Sequence, residues 1–222
     1  MQAVLFDLDN TLYAAERELF SLIDVRINRY MEDVAGIPAA NVDSLRRNYW
    51  EAYGVTLQGL IRHHGVDPED YLDYVHDVDV TSRLHADPAL RKQLESLTIP
   101  CYVFTNGSRG HAERVLAALG IADRFAGIFD IRVAAYLPKP FPEPYRQVLM
   151  ELDLAGEDCV MVEDSHNNLL TAQQLGMRTV LVGPHARPNG FDAQVATASQ
   201  AAAVIGGWQG GTPATGTHKG IV

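Results

Sequence analysis

Residues 3–11 read Ala3-Val4-Leu5-Phe6-Asp7-Leu8-Asp9-Asn10-Thr11. The short apolar run, with its β-branched and aromatic content, reads as a buried strand rather than a helix. It ends abruptly in two carboxylates separated by a single residue. In open parallel sheets, ligands bind beyond the carboxyl ends of the strands. The decisive question is therefore what else the chain brings to that edge.

Just downstream the pattern changes. Residues 14–84 carry long amphipathic segments without alternation: Arg17 to Val34, Ser44 to Tyr53, Leu57 to His64 and Glu69 to Val78. Breaks fall at Gly36-Ile37-Pro38 and Gly65-Val66-Asp67-Pro68. From Asp87 short apolar runs alternate with helical ones. A helix Pro88 to Leu97 precedes a strand Cys101 to Phe104, and a helix His111 to Leu119 stops at Gly120. A weak strand from Gly127 to Ile131, a helix Glu143 to Leu152 and a strand Cys159 to Val162 follow. A helix Asn167 to Leu175 and a strand Thr179 to Val182 complete the series. Such alternation predicts an α/β fold: a doubly wound, Rossmann-like parallel sheet with helices on both faces. The expected organisation is a core of residues 1–13 and 85–205 with an all-helical cap, residues 14–84, inserted after the first strand. Residues 206–222, rich in Gly, Thr and Pro, read as a flexible tail.

The formal net charge of -10 argues against binding a nucleic-acid polymer or an anionic membrane surface, both of which select for excess Lys and Arg. No apolar run approaches the ~20 residues that span a bilayer. Cys101 and Cys159 each sit inside an apolar strand and read as buried thiols rather than a disulfide, so a cytoplasmic location is expected.

Three strand ends carry polar or ionisable residues: Asp7 and Asp9, Thr105 and Asn106, and Glu163 and Asp164. Lys139 lies in the loop Leu137-Pro138-Lys139-Pro140. Singly, each has an ordinary reading as a turn, a solvated loop or a helix cap. Together and in this order, Asp7-Leu8-Asp9-Asn10-Thr11, Thr105-Asn106-Gly107, Lys139-Pro140 and Glu163-Asp164-Ser165 with Asn168 resemble the motifs of the haloacid dehalogenase-like hydrolases. That resemblance spans about residues 2–182. It implies metal ligands from the Asp7 carboxylate, the Asp9 backbone carbonyl and the Asp164 carboxylate, with Glu163 either a further ligand or one acting through water.

The chemistry of the residues points the same way. A carboxylate can attack phosphorus and split one difficult hydrolysis into two easier steps; Asp7, nearest the strand end, is the expected nucleophile. Asp9 could protonate the leaving oxygen and then activate water, and repulsion between close carboxylates is expected to keep Asp9 protonated beside an ionised Asp7. Clustered acids facing a phosphate dianion call for a hard divalent cation, and all-oxygen ligands suit Mg²⁺. Thr105 and Asn106 precede a helix whose free N–H groups favour phosphate. Lys139 is expected to offset charge on the transferring group, and Asn168 to orient neighbouring loops.

A dehalogenase would need neither Asp9 nor a metal cluster, so phosphate chemistry is favoured. Within the phosphatases, Val4 to Tyr13, Tyr74-Val75-His76-Asp77, Phe104 to Arg109 and Tyr136 to Pro140 resemble pyrimidine 5′-nucleotidase-like proteins. This implies a small phosphorylated metabolite, a nucleotide such as UMP or CMP, as substrate. His64, Tyr71 and His76 are the cap positions assigned to base or ribose contact. The alternatives are a phosphatase or mutase of another small metabolite, such as phosphoglycolate or a hexose phosphate, and a non-catalytic regulator that binds a phosphorylated ligand.

Overall fold

The computed structural model describes residues 1–183 and 190–210. Its centre is β1 (Ala3–Phe6), in which Ala3 and Leu5 face one apolar layer while Val4 and Phe6 face another. Burial on both faces explains why the strand reads as an unbroken apolar run. β1 pairs in parallel with β2 (Cys101–Phe104) on one side and β4 (Cys159–Glu163) on the other. With β3 (Phe125–Phe129), β5 (Arg178–Val182) and β6 (Ala193–Val195), the all-parallel sheet runs β3-β2-β1-β4-β5-β6. The order reverses beside β1, which puts the ends of β1 and β4 at the switch point where such sheets bind ligands.

Between β1 and β2 the chain forms α1 (Leu19–Asp33), α2 (Ala39–Tyr53), α3 (Thr56–His64) and α4 (Pro68–His76). Their apolar faces share a cluster of their own that includes Ile23, Tyr30, Leu57, Leu60 and Leu72. α1 begins at Leu19, two residues later than expected, because Glu18 takes a left-handed conformation with φ 54°. α2 begins earlier than expected, directly after Pro38. α4 begins at Pro68, where the Asp67 carboxylate accepts the Glu69 N–H at 2.8 Å.

α5 (Pro88–Glu95), α6 (Arg109–Leu119), α7 (Pro142–Leu152), α8 (His166–Gln174) and α9 (Ala198–Gly210) flank the sheet. α6 ends at Gly120, whose φ of +69° satisfies the anticipated C-cap. Two further expectations need correction. β3 ends at Phe129 rather than Ile131, because the Asp130 carboxylate accepts the Arg109 and Arg132 N–H groups and turns the chain away. Residues 206–210 are not tail but the last part of α9, with Trp208 packed against the sheet's apolar layer; residues 211–222 lie outside the described residues. Both cysteines are buried free thiols. No helix among the described residues is long and apolar enough to cross a membrane.

Candidate active site

The Asp7 N–H donates to Val162 O at 2.9 Å, continuing the β1–β4 ladder by one step and aiming the next side chains past the sheet edge. There Asp7, Glu163 and Asp164 each bring a carboxylate oxygen within 4.8 Å of the others. Asp7 and Glu163 are buried, whereas Asp164 is exposed.

The Lys139 ammonium, 1% exposed, donates to Asp7 Oδ1 at 2.8 Å, Glu163 Oε2 at 2.7 Å and Phe104 O at 2.7 Å. Three protons meet three acceptors, so the ammonium is fully engaged. Asn106 sets its position: the amide Nδ2 donates to Lys139 O at 3.0 Å, and Oδ1 accepts the Lys139 N–H at 2.8 Å. Asn168 Nδ2 donates to Glu163 Oε2 at 3.0 Å, tying α8 to the same acid.

One cation among clustered acids leaves the site short of positive charge. Burial, then Glu163, push Asp7 up to about 7 against the opposing pull of Lys139. Burial also pushes Glu163 up to about 7, with Lys139 opposing and Asp164 adding to the rise. Asp164 is raised by loss of water and by Asp7. An all-oxygen donor set that resists ionising without more positive charge fits a hard divalent cation of the Mg²⁺ type.

Asp9 differs from expectation. Its carboxyl is held below the usual range: burial acts to raise it but is outweighed by His111, Tyr13 and His76. Tyr13 Oη donates to Asp9 Oδ1 at 2.5 Å, and His111 Nε2 lies 2.8 Å from the same oxygen. Of the two carboxyls it is therefore Asp7, not Asp9, that holds a proton more tightly. The Asp9 side chain is also not one of the three clustered carboxylates.

The expected phosphate cradle is altered too. At the start of α6 the Arg109 N–H is taken by Asp130 and the His111 N–H by Ser108 Oγ, while Thr105 Oγ1 accepts the Gly107 N–H at 2.9 Å. The helix dipole remains, but those N–H groups are not free, and the Asn106 side chain is spent on Lys139.

A cavity of about 520 Å³ opens between this edge and the helices α1–α4. Tyr71 and His76 line it; His64 does not, and its Nε2 instead sits 2.9 Å from Tyr49 Oη. Tyr71 also packs edge-to-face on Tyr30, with centroids 5.1 Å apart. The sequence reading missed Tyr13, His111, Phe20, Arg46 and Trp50. Tyr13 was legible as a hydroxyl one helical turn after Asp9, and His111 as an imidazole in the first turn after Thr105-Asn106.

The haloacid dehalogenase-like hydrolase family matches residues 1–176, which takes in the three strand-end segments, the Lys139 loop and the inserted helices. The chain belongs to that family. Among curated relatives of this haloacid dehalogenase-like hydrolase is phosphate metabolism protein 8 of Saccharomyces cerevisiae, 27% identical over 193 residues, covering 79% of this chain and 60% of that protein. The phosphoglycolate phosphatase of Pectobacterium atrosepticum is 28% identical over 195 residues, covering 81% of this chain and 79% of that protein. Among solved structures, a HAD phosphatase from Thermococcus onnurineus superimposes with a TM-score of 0.63 at 19% identity, covering 93% of this chain and 99% of that one, a likeness of fold.

Proposed function

We propose that this hydrolase is a magnesium-dependent phosphomonoesterase that works through an aspartyl-phosphate on Asp7 and acts on pyrimidine nucleoside 5′-monophosphates. The observation that carries the proposal is the convergence of Asp7, Glu163 and Asp164 around one point, with Lys139 bridging the first two, at the floor of the cavity. When bound by Asp7, the Asp9 carbonyl and Asp164, Mg²⁺ supplies the positive charge that keeps Asp7 ionised and offsets the phosphoryl oxygens.

Lys139 holds Asp7 Oδ1, and Oδ2 attacks phosphorus as the ester P–O bond breaks. Asp9, a carboxylate at rest, takes up a proton from solvent as the ester binds and passes it to the departing oxygen. Asp9, now a carboxylate, accepts a proton from water as that water attacks the aspartyl-phosphate, releasing phosphate and restoring Asp7. The resting Asp9 is poised for the second of these steps. Thr105, Asn106 and Lys139 shape the phosphate floor, with Asn106 acting through its clamp on the Lys139 backbone. Glu163 holds the ammonium, and Asn168 in turn fixes Glu163.

The cavity is in the size class of small-molecule sites, and its helical wall presents Phe20, Ile23, Trp50 and Tyr71. These surfaces suit a planar base better than a second anion. Arg46, the lining cation on that wall among the described residues, is already engaged by Asp24 at 2.5 Å and Asn28 at 2.8 Å. Phosphoglycolate, the substrate named for several relatives, carries a carboxylate that would need such a cation. It remains the second reading.

Phosphate release from UMP, CMP, phosphoglycolate and hexose phosphates, each with Mg²⁺ and with EDTA, separates the readings. Turnover of the pyrimidine nucleotides that EDTA abolishes is expected. Preference for phosphoglycolate would replace the nucleotidase reading, and turnover unaffected by EDTA would remove the metal.

A further inference from the structure

His111 is wholly buried in the first turn of α6, and the mechanism above gives it no task. Its Nε2 lies 2.8 Å from Asp9 Oδ1. A carboxylate oxygen can only accept, so Nε2 carries a proton and donates it. Nδ1 has no partner. A buried nitrogen without a partner is a cost that an apolar ring would not carry, and the bond made by Nε2 is what offsets it.

That bond shares Asp9 Oδ1 with the Tyr13 hydroxyl. Two donors on one oxygen fix the carboxylate and leave Oδ2 as the atom that exchanges protons. The imidazole is itself held from the other unit of the molecule. His76, the last residue of α4, stacks on it with centroids 4.7 Å apart and planes inclined by 21°. His76 Nδ1 lies 2.9 Å from Leu72 O and 3.1 Å from Ser108 Oγ, which fixes that ring in turn.

We infer that His111 is a positioning residue for Asp9: its Nε2–H holds the carboxylate whose other oxygen gives and takes the proton of hydrolysis, and His76 of the inserted helices backs the ring. This rests on Asp9 acting as acid and base. A positioned acid matters where the leaving oxygen is a poor leaving group; an alkoxide needs its proton, whereas 4-nitrophenolate departs unaided.

The test compares kcat/KM for whichever alkyl monoester is turned over, UMP or phosphoglycolate, with that for 4-nitrophenyl phosphate. The proteins are wild type, His111→Asn, His111→Gln and Asp9→Asn. The Gln amide reaches about as far as Nε2; the Asn amide stops short. His111→Asn is expected to lower kcat/KM for the alkyl ester by roughly 100-fold, chiefly in kcat, and for the aryl ester by less than about fivefold. His111→Gln should recover most of the difference. Equal losses on both esters, or a Gln variant no better than Asn, would overturn the inference. If His111→Asn does not fold, the imidazole ¹⁵N spectrum of wild type decides. An Nε2 proton protected from exchange supports the role, and an unprotonated or freely exchanging Nε2 refutes it. If Asp9→Asn itself fails to discriminate between the esters, the reading of Asp9 as acid is what fails, and the role of His111 falls with it.

Discussion

At Lys139 three ammonium protons meet Asp7, Glu163 and Phe104 O, with no solvent to take over if the side chain is lost. Lys139→Met leaves two buried acids facing each other without a counter-charge. Breaking a buried ion pair from one side costs about 3–5 kcal/mol, so urea unfolding at neutral pH should show a loss of that size. Steady-state kinetics should show kcat/KM down by roughly 10²–10³; wild-type stability in this variant would contradict the geometry. The same acids give a pH signature. Asp7 and Glu163 sit near 7 when folded, above their ordinary values of 3.8 and 4.5. The folded state then binds more protons than the unfolded one between those limits, so stability falls as pH rises from about 4 to about 7. Mg²⁺ binds the ionised forms. The difference in urea midpoint with and without Mg²⁺ should therefore widen between pH 6 and pH 8, and a constant difference would show that the metal binds elsewhere. At this scale the sequence displayed the ionisable residues but not their pairing. Asp9 and His111 are 102 positions apart, and nothing local in either segment announces that they meet.

Among the elements, the inserted helices depend on a close approach that one residue permits. A Cβ on Gly59 of α3 would lie 2.1 Å from Tyr49 Cγ of α2. Gly59→Ala must push the ring and its helix outward, at a cost of about 1–3 kcal/mol by overpacking. Because Trp50 and Arg46 line the cavity from that same helix, the variant should raise KM more than it lowers kcat on the preferred substrate. A thermal midpoint and KM both equal to wild type would show that α2 and α3 do not meet in this way. Elements with strong patterning were legible: β1, β2 and β4 as continuous apolar runs, and α6 through its terminal Gly120. β6 and α9 were not. β6 is a three-residue edge strand, Ala193–Val195. α9 buries Ala198, Ala201 and Ala202 with Ile205, mostly small residues in a segment interrupted by Gly206 and Gly207, so no polar face contrasts with an apolar one. Packing against the sheet, rather than periodicity, makes that helix.

Across the whole molecule, the parallel order of the sheet brings segments from opposite ends of the chain to one edge, where acidic charge exceeds what Lys139 offsets. Metal binding should then stabilise the fold as a unit. At a Mg²⁺ concentration of 100 times its dissociation constant the gain is about 2.7 kcal/mol, or a rise of roughly 5–10 °C in the unfolding midpoint for a chain of this size. Calorimetry should show the rise in wild type and its loss in Asp164→Asn; an equal rise in both would remove Asp164 from the ligand set. The central claim, that Asp7 takes the phosphoryl group, is tested most directly by trapping it. Protein mixed with 4-nitrophenyl [³²P]phosphate and Mg²⁺, quenched in acid within one turnover, should carry label on the peptide containing Asp7, and Asp7→Asn should carry none. Hydrolysis by wild type with no covalent label at any quench time, or label on another residue, would contradict the account.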